Sequence, residues 1–257
     1  MAAMTDPTLR FSSRAENYAR YRPRYPQDVV ETLREECGLH VSSVVCDIGS
    51  GTGALAEMFL RNGNPVFAVE PNREMREMAE RILSGYGRFH SIAGRAEATT
   101  LEEHSADFVV VGQAFHWFDV DKTRREFLRI LKPSGWAMVV WNEREFQTTP
   151  FLRAYDQVLQ RYALDYAREK HKSVYDTALT DFYGADGFTE KAFHYRQEMD
   201  FAGVVGRMRS SSYNPEPGHP NYEPMITELQ RIFQTHEANG RVAFEYTTRM
   251  YYGRLFP

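Results

Sequence analysis

From about residue 27 to about residue 142 the chain alternates short β-branched runs with stretches of helical periodicity, the pattern of βαβ units around a parallel sheet. Val44-Val45-Cys46-Asp47-Ile48 is an apolar run broken by one acid and followed by glycines, which suits a strand buried on both faces. The pattern predicts a helix over Ala54–Arg61, a strand over residues 65–70, and an amphipathic helix over residues 72–83 with Asn72 as its N-cap. Strands follow over residues 89–93, 106–111 and 136–141. Between the last two lies a helix over residues 122–131, ended by Lys132-Pro133-Ser134-Gly135.

Past Pro150 this rhythm stops. A long amphipathic helix is expected from Phe151 to about Lys170, a second over Phe201–Arg209, and a Pro/Gly-rich loop over residues 214–220. These read as a cap. Two β-like stretches, residues 188–199 and 241–252, flank a helix around residues 225–236 and are expected to join the same sheet as a hairpin-like pair. The expected division is an N-terminal lid segment over residues 1–26 and one domain over 27–257. Within that domain, residues 27–142 form the core, and residues 143–257 supply the cap and the last strands.

With 257 residues, 42% of them hydrophobic, the chain can bury a sizeable core. The net charge of -4 gives no basic footprint, so no nucleic-acid partner is expected. The two cysteines, Cys37 and Cys46, lack metal-ligand spacing and read as core thiols, so no metal is expected. The first thirty residues are rich in Arg, Tyr and Pro with no apolar h-region, and no apolar run approaches the ~20 residues that span a bilayer. The expectation is a cytoplasmic protein with no membrane partner, either a monomer or a homodimer.

The chemistry concentrates where the first strand ends. Gly49, Gly51 and Gly53 fit G-x-G-x-G between strand and helix, where the absence of a Cβ lets a ligand approach the backbone. Glu70 closes the second strand about 20 residues later, placed to accept both hydroxyls of an adenosine ribose. Dinucleotide and sulfonium cofactors share both features. Asp47 separates them, because an acid beside the turn repels an anionic pyrophosphate but suits a cofactor with an amino group and no phosphate.

The run from Val45 to Gly53, with Val69-Glu70-Pro71-Asn72 and Met75, resembles the class I S-adenosylmethionine-dependent methyltransferases. Gly94-Arg95-Ala96-Glu97, Asp107-Phe108-Val109-Val110-Val111-Gly112-Gln113-Ala114 and the string from Leu128 to Trp136 extend the resemblance. The string from Tyr18 to Pro26 and Gln113-Ala114-Phe115-His116-Trp117-Phe118 are similar to a small-molecule subgroup related in pattern to trans-aconitate methyltransferases. The resemblance covers residues 10–142 well and the remainder loosely. It implies a Rossmann-like α/β fold: a seven-stranded, mostly parallel sheet with one reversed strand, helices on both faces, and the helical cap from the C-terminal half. It implies S-adenosyl-L-methionine at the carboxyl ends of the first and fourth strands, contacted by Asp47, Gly49, Gly51, Gly53, Glu70, Pro71, Asn72, Met75, Ala96, Glu97 and Gln113. Tyr18, Arg22 and Tyr25 resemble a lid over the cofactor.

Methyl transfer from a sulfonium is an in-line displacement, so holding the reactants in line in a dry site does most of the work. A small carboxylate acceptor is already an anion at neutral pH and needs only a cation to orient it. Arg144 is such a cation, with Arg207 or Arg209 of the cap as further candidates. An amine or phenol acceptor needs a base, for which His116 is the candidate, and His116 and Trp117 are expected in the acceptor pocket. Tyr155, Tyr162, Tyr166, Phe201 and Tyr213 are candidates for an apolar pocket wall or for core. Two rival readings stand beside this one. A catalytically silent S-adenosylmethionine-binding regulatory domain keeps the same glycines. A short-chain-type NAD(P) oxidoreductase would use the Tyr-x-x-x-Lys spacing of Tyr166 and Lys170 on a helix.

Overall fold

The computed structural model describes residues 14–166, 173–184 and 187–256. Two short helices, α1 (Ala15–Tyr21) and α2 (Asp28–Cys37), lead into alternating strands and helices. These are β1 (Val45–Ile48), α3 (Ala54–Arg61), β2 (Val66–Val69), α4 (Arg73–Leu83), β3 (Phe89–Ile92) and β4 (Ala106–Gly112). A single 3₁₀ turn over Phe115–Trp117 precedes α5 (Val120–Ile130) and β5 (Leu131–Arg144). Then come α6 (Pro150–Tyr162), α7 (Ser173–Tyr183), β6 (Thr189–Met199), α8 (Phe201–Arg209), α9 (Tyr222–His236) and β7 (Val242–Gly253).

The strands form one seven-stranded sheet in the order β3-β2-β1-β4-β5-β7-β6. The first five pair parallel, and β7 runs antiparallel to both β5 and β6. This is the Rossmann-like sheet with its reversed strand, and the two late β stretches do pair with each other. Order 2-1-4 places the chain reversal at β1 and β4, where open α/β sheets bind ligands beyond the carboxyl ends of their strands.

Alternation along each strand explains why both sheet faces carry helices. On β4, Phe108 and Val110 pack with Val29, Leu33, Leu55 and Phe59 of α2 and α3, whereas Val109 and Val111 pack with Phe127, Ile130 and Phe182 of α5 and α7. A third cluster forms the cap. It joins Leu152, Tyr155 and Leu159 of α6, Val204 and Met208 of α8, and Met225, Leu229 and Ile232 of α9 to Phe244 and Tyr246 at the start of β7.

Three local differences from the sequence pattern have physical causes. The helix expected to run to Lys170 stops at Tyr162: Ala163 is extended, and the Leu164 N–H leaves the helix to bond the Tyr213 carbonyl at 2.8 Å. Residues 167–170 lie outside the described residues. β5 begins at Leu131 rather than Trp136, because Leu131 already pairs with Ala106 and the Lys132-Pro133-Ser134-Gly135 segment bulges out before pairing resumes at Phe108 and Trp136. The N-terminal segment contains α1, whose cap residue Arg14 is pinned by the carbonyls of Arg209 at 3.2 Å and Asn214 at 3.0 Å, and by Ser211.

Candidate active site

The β1 turn is held from β2. The N–H groups of Gly49 and Ser50 both donate to the Val69 carbonyl, at 2.8 and 3.2 Å, and Gly53 N–H closes the turn on the Ser50 carbonyl at 2.9 Å. Gly49, Gly51 and Gly53 all adopt the left-handed conformation, with φ of +70°, +56° and +83°. Their surroundings differ. A Cβ on Gly49 would lie 2.7 Å from the Ala114 methyl, and one on Gly53 would lie 2.6 Å from Leu83 Cδ1. A Cβ on Gly51 would meet only the Met75 methyl, at 3.5 Å, and would otherwise project into open space.

That space is a cavity of about 740 Å³ walled by Gly49, Gly51, Glu70, Pro71, Asn72 and Met75 on the β1–β2 side. Gly53 is not in its wall. Its α-carbon packs against Leu83 and Ala79 of α4 instead. Asn72 caps α4 by accepting from Met75 N–H at 2.9 Å, which fixes the chain beyond Glu70. Glu70, only 8% exposed, accepts from Gly51 N–H at 2.8 Å through Oε2 and from Asn72 N–H at 2.8 Å through Oε1. Burial raises its pKa, and those two N–H groups oppose the shift.

Asp47 also departs from the expectation. It is fully buried beneath the turn and does not reach the cavity wall, and neither carboxylate oxygen has a hydrogen-bond partner of good geometry among the described residues. Burial raises its pKa to about 8; the Ala56 N–H at the start of α3 pulls the other way, and the Glu70 charge adds to the rise. Tyr25 is its neighbour in this interior, held neutral by burial with the charge of Asp47 adding to the effect. Gly112 makes room for Tyr25, because a Cβ there would lie 2.5 Å from the phenol oxygen. Burial likewise pushes both thiols, Cys37 and Cys46, up to about 12, as expected of inert core cysteines.

Beyond β3 and β4 the wall continues with Ala96, Glu97, Gln113, His116 and Trp117, all of which the sequence singles out. Glu97 accepts from the Asp119 N–H at 3.1 Å. Gln113 is held in a left-handed conformation, φ +58°, by a reciprocal bond with the Asn142 backbone: Nε2 donates to the carbonyl at 3.3 Å and Oε1 accepts from the N–H at 3.2 Å. Asn142 in turn donates to the Arg24 carbonyl at 3.1 Å and accepts from Thr248 Oγ1 at 2.5 Å, tying β5, β7 and the N-terminal segment together at the cavity wall. His116 and Trp117 stand on the 3₁₀ turn at the rim with ring centroids 4.5 Å apart, and Trp117 is 38% exposed.

The cap side is cationic and aromatic. Arg144, at the end of β5, donates to the Tyr166 hydroxyl at 2.7 Å, lies 3.7 Å from Asp156, and stacks over the Tyr155 ring at 4.9 Å. Tyr166 donates to Asp156. Arg144 Nη1 is buried without a hydrogen-bond partner among the described residues, and the side chain lines the cavity. Arg207 reaches the wall as well, while Arg209 instead stacks on Tyr222 at 5.4 Å. Tyr18 and Arg22 line the cavity from the α1 side, and Tyr166 and Tyr213 do so from the cap, whereas Tyr155 and Phe201 pack in the cap core. Tyr166 lies beyond the end of α6, and Lys170, the other member of the Tyr-x-x-x-Lys spacing, lies outside the described residues.

Several wall residues escape sequence reasoning: Trp141, Asn142, Glu143, Glu145 and Phe146 at the end of β5, and Arg249 of β7. A signal existed for the first group, since residues at the carboxyl end of the strand after β4 belong beside the ligand. None existed for Arg249, which arrives through the antiparallel register that sets it opposite Trp141.

Comparison with known proteins agrees with this geometry. Residues 46–139 match the family model described as a methyltransferase domain. An uncharacterized methyltransferase of Schizosaccharomyces pombe is 29% identical over 230 residues, covering 88% of this chain and 87% of that protein. An uncharacterized methyltransferase of Mycobacterium tuberculosis is 34% identical over 140 residues, covering 54% of this chain and 55% of that protein. Among solved structures, a protein of Anaeromyxobacter dehalogenans provisionally named a type II methyltransferase superposes with a TM-score of 0.65 at 20% identity, covering 92% of this chain and 99% of that one.

Proposed function

We propose that the chain is a class I S-adenosylmethionine-dependent methyltransferase, and that it methylates a small carboxylate bound between the glycine turn and the cap. The observation that carries this reading is the cationic cap-side wall of the cavity at Arg144. Arg144 is almost buried, its Nη2 and ring-facing surface are occupied by Tyr166 and Tyr155, and its Nη1 has no hydrogen-bond partner among the described residues. A buried guanidinium N–H without an acceptor is costly, and a carboxylate matches the fork geometry.

The opposite wall fits S-adenosylmethionine. Gly51 leaves open space above a backbone that a Cβ would fill, and Glu70 is fixed by two N–H groups with lone pairs left for ribose hydroxyls. Pro71, Asn72, Ala96, Glu97 and Gln113 surround the same space. The bound cofactor supplies an electrophilic methyl group. The protein's own part is to orient the acceptor through Arg144, to exclude water with the aromatic rim of Trp117, Trp141 and Phe146, and to hold Gln113 in place through Asn142. A carboxylate acceptor requires no base, so His116 at the exposed rim serves the pocket rather than proton transfer.

The net charge of -4 supports a small-molecule partner over a nucleic acid, and among the described residues no helix is long and apolar enough to cross a membrane. The test is a radiolabel assay: the protein is incubated with methyl-labelled S-adenosylmethionine and a panel of small mono-, di- and tricarboxylic acids, amines and phenols. Label transferred to a base-labile methyl ester supports the reading. Label on an amine or phenol, with no acid methylated, overturns it and returns His116 to the role of base.

A further inference from the structure

Two guanidinium groups of the cavity wall meet on one hydroxyl. Arg22, at the C-cap of α1, donates from Nη2 to the Ser210 carbonyl at 3.0 Å and to Ser211 Oγ at 3.4 Å. Arg207 of α8 donates from Nη1 to the same Ser211 Oγ at 2.9 Å, and from Nε to the Tyr246 hydroxyl at 3.3 Å. Both line the cavity, and Arg207 is only 6% exposed. Among the described residues, their partners are hydroxyls and carbonyls; neither has a carboxylate within ion-pair distance. Arg22 Nε is buried with no partner at all.

Two like charges brought together in a buried wall repel each other and lose hydration. Among the described residues the offset comes from aromatic groups: Arg22 stacks over the Tyr18 ring at 4.8 Å, and the phenols of Tyr246, Tyr213 and Tyr155 hold Arg207 protonated against its burial. Burial and the Arg207 charge together lower the Arg22 pKa. The fold nevertheless forces the encounter. The Tyr21 ring sits directly on Gly206 of α8, where a Cβ would come within 2.1 Å of it, and Arg14 anchors the other end of α1 to residues 209–214. A pair of planar forks converging on a polar pocket matches an oxyanion.

We propose that Arg22 and Arg207 form a carboxylate-binding subsite across Ser211, separate from Arg144, and that a carboxylate seated there fastens α1 to the cap. The proposal rests on the methyltransferase reading of the cavity, which offers two sources of a carboxylate: the amino-acid part of the cofactor, or a second acidic group on the acceptor. Either one bridges the N-terminal segment and the cap and closes the cavity over the reactants.

The test measures three affinities by calorimetry, in the wild type and in Arg207→Gln, Arg207→Lys and Arg22→Gln. They are S-adenosylhomocysteine, methylthioadenosine (which lacks the carboxylate), and glutarate added to the S-adenosylhomocysteine complex. Arg22 is the less buried of the two, so Arg22→Gln carries the comparison if Arg207→Gln fails to fold. If the cofactor is the source, the Gln variants weaken S-adenosylhomocysteine at least tenfold and leave methylthioadenosine unchanged. If the acceptor is the source, they weaken glutarate at least tenfold and leave S-adenosylhomocysteine unchanged. Arg207→Lys recovers part of either loss. In the wild type the relevant ligand also slows tryptic cleavage after Arg20, and in the Gln variants it does not. Folded Gln variants with wild-type affinity for both S-adenosylhomocysteine and glutarate overturn the subsite, as does a wild type that binds no glutarate while its S-adenosylhomocysteine affinity is insensitive to both variants. Failure of the wild type to bind S-adenosylhomocysteine is a different result, and removes the cofactor reading itself.

Discussion

The backbone N–H of Gly51 donates to Glu70 Oε2 across 2.8 Å, so the glycine turn after β1 and the acid after β2 are one hydrogen-bonded unit. With Asn72 N–H on the other oxygen, the carboxylate is oriented before any ligand arrives. Glu70→Ala therefore removes a ribose acceptor and leaves two N–H groups without their partner. We expect a stability loss of about 1–3 kcal/mol and at least a tenfold loss of S-adenosylhomocysteine affinity, with Glu70→Gln milder in both. Calorimetry on the folded variant decides it: unchanged affinity in Glu70→Ala removes the ribose assignment.

The three glycines of the turn are separable by experiment. Gly51→Ala meets only a left-handed φ of +56° and open space, so its cost in stability is about 1–2 kcal/mol while its new methyl enters the cavity. Gly49→Ala adds an overlap with the Ala114 methyl at 2.7 Å, and Gly53→Ala one with Leu83 Cδ1 at 2.6 Å. Gly51→Ala should lose cofactor affinity out of proportion to stability, and Gly53→Ala stability out of proportion to affinity. Pairing Gly49→Ala with Ala114→Gly should recover part of the loss in a double-mutant cycle read by urea denaturation. Equal losses at all three positions would contradict the contact assignments.

How much of this was legible beforehand depends on how local each cause is. The β1 turn, Glu70 and the Asn72 cap follow from short-range pattern, and the structure puts Glu70, Asn72 and Gln113 in one wall. Gly53 and Asp47 match the motif as well as Gly51 does, yet the first answers to Leu83 and the second is sealed beneath the turn. Which side of the turn faces ligand is set by packing against α4 and Tyr25, and no spacing rule encodes that. Position along the chain makes Arg144 and Arg207 candidates but does not show that they are buried, because the partners that bury them, Tyr155 and Tyr166 for the first and Tyr246 and Ser211 for the second, come from distant segments of the cap and β7. The α6 stop at Tyr162 was invisible for the same reason: it answers to Tyr213 in a loop some fifty residues away.

Asp47 gives the fold a pH dependence of definite sign. Its pKa rises from 3.8 to about 8 on burial, so between those values the unfolded chain releases the proton and the folded chain keeps it. Stability is therefore full below the unfolded pKa, falls as pH rises through the window, and has lost the whole contribution above about 8, a loss of about 6 kcal/mol at most. Asp47→Asn holds the neutral state at every pH. Urea denaturation at pH 5, 7 and 9 should show the wild type weakening toward alkaline pH and the variant markedly flatter. Parallel slopes for the two proteins would mean that Asp47 is ionised in the fold.

Tyr166 links Arg144 to Asp156, accepting from the guanidinium at 2.7 Å and donating to the carboxylate. Burial holds the phenol neutral, and although Arg144 favours its ionisation, the bond to Asp156 opposes it, so the hydroxyl stays a donor. Tyr166→Phe keeps the ring and removes this relay, leaving Arg144 free to turn toward Asp156 and away from the cavity. If Arg144 orients a carboxylate acceptor, the variant should raise the acceptor KM about tenfold, change kcat less, and leave S-adenosylhomocysteine affinity intact. Arg144→Lys should show the same pattern more strongly, since an ammonium keeps the charge but not the fork. Arg144→Met is the harsher change. It takes the Arg144 guanidinium away from the Asp156 carboxylate, 7% exposed, and should lower stability, which confounds kinetics. A Tyr166→Phe enzyme with unchanged KM and lowered S-adenosylhomocysteine affinity would move Arg144 from the acceptor to the cofactor.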